Sequence, residues 1–146
     1  MKKGIIFLII ILTLCLSACG QNTKADAKKA PDSINRPDID LTMLSSTMVY
    51  SEVSNIMQQP DRYIGKSIKI SGIYLPMTGS DGTTQYPACL IQDATACCQQ
   101  GIEFKTKDGN YPKEGTMIIA QGKFASYTDT LDGQTYYHLE DTVIMN

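Results

Sequence analysis

The 146-residue chain has no tryptophan, three phenylalanines and a single histidine, His138. With one imidazole it cannot build a histidine-rich metal site, and no Ser-His-Asp order, phosphate loop or dinucleotide fingerprint is present. A C-x-x-C redox motif is missing too. Basic residues are few: 13 Lys and Arg stand against 15 Asp and Glu, for a formal charge of −2. That balance argues against nucleic acid as a partner, because phosphate neutralisation needs a basic surface. It argues equally against polybasic attachment to anionic lipid.

What is present begins with a leader. "MKKG" is a short basic start, and "IIFLIIILTLCL" is an apolar run too short to span a bilayer but suited to a signal peptide. The run ends in "LSAC", Leu16 to Cys19, followed by Gly20, which resembles the bacterial lipobox. That resemblance implies cleavage before Cys19 and acylation of its thiol, palmitate being one such chain. Two acyl chains anchor a protein stably where one does not. Residues 1–18 are therefore expected to be a lipoprotein signal peptide, and the mature protein to be held extracytoplasmically at the cell membrane. Residues 19–40 are polar, contain Pro31 and Pro37 and lack apolar periodicity, the pattern of a disordered tether. Residues 41–146 suffice for one small core.

In that domain Val49, Val53, Ile56 and Met57 recur at helical spacing, with Ser45 or Ser46 as N-cap and Pro60 as the stop. The period then becomes two. "GKSIKISGIYL", "TTQYPACLIQDA", "GIEFKT", "TMIIAQGKFASY" and "QTYYHLEDTVIM" read as five strands, separated by the turns "GSDG" and "LDG" and the loop "KDGNYPKEG". Gly72 marks a bulge or a close approach, and Pro87 an edge or a bulge. Strands one and four share a grammar: Ile68, Ile70, Gly72 and Tyr74 fall on Ile118, Ala120, Gly122 and Phe124 when Gly65 is aligned with Gly115. The fold expected is mainly β, a small five-stranded OB-like barrel preceded by one amphipathic helix. A two-sheet sandwich is the alternative.

The segments "LSSTMVYSEVSNIMQQPDRYIGKSIKISG", "ACLIQDATACCQQGIEF" and "HLEDTVI" resemble a family of small, largely uncharacterised bacterial lipoproteins with an OB-like domain. More remotely, "YIGKSIKISG" and the Cys-Cys pair are similar to the extracytoplasmic domain of a permease-subunit family linked to zinc. The resemblance implies fold and location and carries no activity with it.

Cys15 leaves with the signal and Cys19 takes lipid, so Cys89, Cys97 and Cys98 remain. A bond between Cys97 and Cys98 is disfavoured, since adjacent Cα atoms lie only about 3.8 Å apart. One plain reading is a disulfide from Cys89 to one of the pair; another is three buried thiols acting as small hydrophobes. The sharper reading is a metal site. In an OB barrel strands three and five are parallel, which brings the Cys97–Cys98 loop and the strand of His138 to the same end. Cys97, Cys98 and His138, with Cys89 or water as a fourth ligand, would suit Zn2+. The alternative for His138 is an imidazole on a strand surface beside Glu140.

The aromatics Tyr74, Phe104, Phe124, Tyr136 and Tyr137 are assigned to the core and barrel ends. The function expected is a lipid-anchored binding or accessory module that does not catalyse a reaction. Its partners would be the membrane, through the anchor, and a membrane protein. Alternatives are a thiol-redox lipoprotein and a structural docking domain. If the anchor is right, Cys19→Ala leaves the precursor unprocessed or releases the protein from membranes on fractionation; a variant that still matures and gains lipid refutes it.

Overall fold

A computed structural model describes residues 36–145, so the leader and Cys19 lie outside the described residues. The fold is mainly β. A short strand β1 (Ile39–Asp40) and a helix α1 (Ser46–Gln58) precede strands β2 (Ser67–Thr78), β3 (Gln85–Gln92), β4 (Gln99–Thr106), β5 (Met117–Thr128) and β6 (Thr135–Met145). The sheet order is β1-β2-β3-β4-β6-β5, and β5 pairs back onto β2. The last five strands thus close a ring in OB-like order, with β4 and β6 parallel as expected. It is not a regular barrel. Between β4 and β6 the register slips after Phe104, and at the slip the hydroxyl of buried Thr106 finds no partner.

β1 is a sixth strand that the sequence reading placed in the tether. Ile39 and Asp40 pair in parallel with Ile68 and Lys69, the Asp38 carboxylate accepts the Ser67 N–H at 2.8 Å, and Leu41 is buried. Trimming to residue 40 would therefore strip a strand from β2. The helix follows its pattern. Val49, Val53 and Ile56 are buried, Met57 packs at the margin of the core, and α1 lies over β3 and β4. Ser45 is the N-cap by position, but its side chain makes no capping bond. Pro60 opens a single 3-10 turn, Pro60–Arg62, that ends the helix.

Strands β2 and β5, the two with shared grammar, lie antiparallel to each other. Ile68 pairs Gly122, Ile70 pairs Ala120 and Gly72 pairs Ile118, so a local twofold relates them. The symmetry extends to the ends. Gly65 donates to the Phe124 carbonyl at 2.8 Å and Gly115 to that of Tyr74 at 2.9 Å, both glycines at positive φ. The fifty-residue echo is two strands solving one geometric problem. Each must bend to serve a second neighbour, β3 for one and β6 for the other.

The two central glycines sit at those bends. A Cβ on Gly72 would lie 2.5 Å from the Leu90 carbonyl oxygen and 2.7 Å from the Cys89 sulfur. The register runs unbroken through Gly72, so it marks a close approach and not a bulge. At Gly122 the bulge belongs to the partner. Two β6 residues, Asp141 and Thr142, oppose the single Gly122, and Asp141 takes a φ of 51° to allow it. A Cβ there would collide with the Thr142 hydroxyl and lie 2.9 Å from both the Glu140 carbonyl oxygen and the Leu139 Cβ.

Inside the ring lie Ile68, Ile70, Tyr74, Cys89, Ile91, Ile102, Phe104, Ile118, Ala120, Phe124 and Leu139. Tyr74 meets Phe104 edge-on and Tyr137 stacks on Phe124, so these aromatics serve the core as expected. Among the described residues no helix is long and apolar enough to cross a membrane.

Gly72→Ala and Gly122→Ala should each lower stability by roughly 1–3 kcal/mol in urea unfolding, the cost of overpacking. Gly101→Ala is the control, because a Cβ there meets only ordinary contacts at 3.7 and 3.8 Å. Equal midpoints for all three variants would remove the close-approach account.

Candidate functional site

The hairpin between β3 and β4 carries the thiol pair. Gln92 and Gln99 close the ladder, and "DATACC", 93–98, forms the tip. Asp93 organises it. Its N–H donates to the Cys98 carbonyl at 3.1 Å and its own carbonyl accepts from Ala96 at 3.0 Å. Its carboxylate accepts the Cys97 N–H at 3.1 Å and the Thr95 hydroxyl at 2.8 Å. The short acidic side chain folds back on the turn, as Asp does at tight loops. Ala96 sits at a φ of 55°, an uncommon conformation for a residue with a Cβ. In this turn the Cys97 and Cys98 sulfurs lie within 4.8 Å of an Asp93 carboxylate oxygen.

The result is a cluster. The Cys97 sulfur is 3.3 Å from an Asp93 carboxylate oxygen and 3.4 Å from the Cys98 sulfur. One ligand atom from each of Asp93, Cys97 and Cys98 lies within 4.8 Å of the others, the single such group among the described residues. Around a tetrahedral zinc with bonds of about 2.0 Å to oxygen and 2.3 Å to sulfur, ligand atoms stand roughly 3.5–3.8 Å apart. The Cys97 sulfur's two separations fall short of these by only a few tenths of an ångström, and the third, Asp93 to Cys98, is no more than 4.8 Å. Both cysteines are exposed and free, so a fourth position would face solvent.

Asp93 sets the electrostatics of the cluster. The Asp93 carboxyl is held below its usual range, first by the Thr95 hydroxyl and then by the Cys97 and Cys98 donors, so it is an anion at neutral pH. The Cys98 thiol is pushed up, first by its hydrogen bond and charge coupling to Cys97 and then by burial and Asp93. A thiol surrounded by acceptors is a poor nucleophile until a cation displaces its proton.

The other two residues of the expected metal set stand apart. Cys89 is fully buried, points into the ring beneath Gly72, and lies four residues from Asp93, about 13 Å along an extended strand. Burial pushes its thiol up to about 12. It can neither ligate a metal at the hairpin tip nor form a disulfide with the pair while the ring is closed. His138 is likewise not brought to the thiols. The parallel β4–β6 pairing sets it level with Glu103, five positions beyond Cys98 or on the order of 16 Å. The reason is register: Phe104 and Leu139 are both fully buried as a pair, and that pairing fixes every neighbour on the two strands. His138 stacks on Tyr127 at 5.0 Å, with burial lowering its pKa against the pull of Glu140.

Asp93 is the member of the cluster that sequence reasoning missed. The signal was there: an Asp four residues before the first of two cysteines, across a span that must reverse the chain. Comparison with family models, with curated proteins and with solved structures finds no match to this chain.

Thiol counting separates the three cysteines. With the folded protein, the exposed Cys97 and Cys98 should react with a thiol reagent well before Cys89, which reacts only at the rate of ring opening. The buried thiol also makes stability fall with rising pH. Its folded value lies above the ordinary 9.0, so its contribution is complete below pH 9 and is lost toward pH 12. A third thiol that reacts as fast as the other two would overturn this placement of Cys89.

Proposed function

We propose that the protein is a lipid-anchored, extracytoplasmic binding module that takes a soft or borderline metal ion, zinc first, at Asp93, Cys97 and Cys98. The observation that carries the reading is the convergence of one carboxylate and two thiols on an exposed, strained hairpin. Thiolate sulfur selects ions such as zinc over magnesium or calcium, which prefer all-oxygen sites. Three protein ligands leave a fourth position open to water or to a donor group from another protein. A site of that kind suits capture and hand-over of an ion at the membrane surface. The anchor through Cys19 and a membrane-protein recipient complete the proposal, and both rest on the leader sequence and the tether.

A thiol-redox role has less support. The one thiol that would have to resolve a disulfide is Cys89, and it is shut inside the ring. Catalysis is not part of the proposal, and neither is nucleic acid, since the exposed hairpin tip is acidic.

The test is metal content of the full-length protein, purified in detergent under reducing conditions and measured by native mass spectrometry. Wild type should hold close to one zinc per chain. Cys97→Ser, Cys98→Ser and Asp93→Asn should each weaken binding by about tenfold or more, equivalent to about 1.4 kcal/mol or more. Cys89→Ser and His138→Ala should leave binding unchanged. Zinc lost from His138→Ala, or retained in both vicinal variants, would overturn the proposed site.

A further inference from the structure

A concavity lies on the outward side of the sheet. Ala88, Glu103, His138 and Ala125 form one register row across β3, β4, β6 and β5. The β5–β6 hairpin curls over this face and is latched there. Tyr86 donates to Asp129, and Tyr127 donates to Glu103 at 2.7 Å. Between that hairpin and the loop at 79–84 opens a cavity of about 290 Å³, near the lower end of small-molecule sites.

Its lining combines two independent features. The first is aromatic. Tyr86, Tyr127 and Tyr136 contribute to the wall, with the rings of Tyr127 and Tyr136 6.0 Å apart at 31°. Each hydroxyl is tied to a carboxylate, the bond from Tyr136 to Asp132 measuring 2.6 Å, so the rings are held by their tips. The second is charge without compensation. Glu103, Asp129 and Asp132 line the cavity and no Lys or Arg does. Asp129 is only 8% exposed, and the ion pairs among the described residues, Lys69–Asp40 and Lys123–Glu140, lie elsewhere. Aromatic faces and unpaired carboxylates both attract a cation, and together they repel phosphate.

We propose that this cavity binds a small organic cation, a primary or quaternary ammonium group, which sits against the Tyr127 and Tyr136 rings with Glu103, Asp129 and Asp132 as counter-charges. Burial raises the Glu103 pKa, against the lowering effect of its Tyr127 bond, and an ammonium ion beside it would favour the charged carboxylate. A neutral sugar would use the rings and leave the carboxylates uncompensated. The site is separate from the thiol hairpin, since Glu103 stands on the order of 16 Å along β4 from Cys98.

The experiment exploits the missing tryptophan, because tyrosine emission is then not masked and three of the eight tyrosines line the cavity. The full-length protein in detergent is titrated at constant ionic strength with tetramethylammonium and ethylammonium. Their neutral counterpart is neopentyl alcohol, and D-glucosamine is compared with D-glucose. Saturable changes are expected for the ammonium ions and glucosamine and not for the neutral compounds. Tyr136→Ala and Asp132→Asn should weaken binding by roughly two- to thirtyfold, the span of a cation–π contact. Tyr136→Phe keeps the ring face and should retain most of the affinity. Cys97→Ser should not alter it, which keeps this result independent of the metal proposal. Equal responses to charged and neutral probes, no saturation with any ammonium ion, or unchanged affinity in both Tyr136→Ala and Asp132→Asn would overturn the assignment.

Discussion

The structure depends on backbone meeting backbone at Gly72 and Gly122. Two twelve-residue strands, β2 and β5, pair with each other through their first halves and must then bend to reach β3 and β6. Any Cβ at those points would occupy the space of a neighbouring carbonyl or side chain. Everything downstream follows from that approach. The ring closes in OB-like order, β4 and β6 come together in parallel, and the irregularity of closure is taken up by a bulge at Asp141 and Thr142. Closure also fixes what is denied to the chemistry, because Cys89 is sealed against Gly72 and withdrawn from the thiol hairpin.

Two surface features share one electrostatic logic. The hairpin tip gathers a carboxylate and two thiols, and the cavity beneath the β5–β6 hairpin gathers three carboxylates among tyrosine rings. Each concentrates negative or potentially negative groups where no lysine or arginine answers them among the described residues. In a chain of formal charge −2 such concentrations cost stability through repulsion, and a bound cation would relieve it. The partners differ because the donor atoms differ. Sulfur favours a soft metal ion, and an aromatic face favours a diffuse organic one.

Much of the fold was legible in the linear pattern. The helix stripe, the stop at Pro60 and the period-two strands are local properties, since side-chain direction follows directly from backbone repeat. The fifty-residue echo between β2 and β5 pointed to shared geometry, and the structure gives its cause in a local twofold. β1 was not legible. A two-residue strand has no period to detect, and Ile39 and Asp40 become a strand only because β2 offers them an edge.

The site divides along the same line. The sequence by itself determined that Cys97 and Cys98 are adjacent, outside any C-x-x-C motif and in the turn after the second long strand. Composition determined the acidic surface and the lone imidazole. Only the tertiary structure decided which groups stand beside those thiols. The pairing of buried Phe104 with Leu139 moved His138 to the level of Glu103, and a strained turn at Ala96 brought in Asp93 instead. The tyrosine and carboxylate cavity was likewise invisible, because Tyr86, Glu103 and Asp129 come from three separate segments joined by a hairpin that folds across a sheet. Sequence patterns report faces and periods, which are local. Register and the curl of a hairpin are set by which side chains must be buried together, and that is a property of the whole ring.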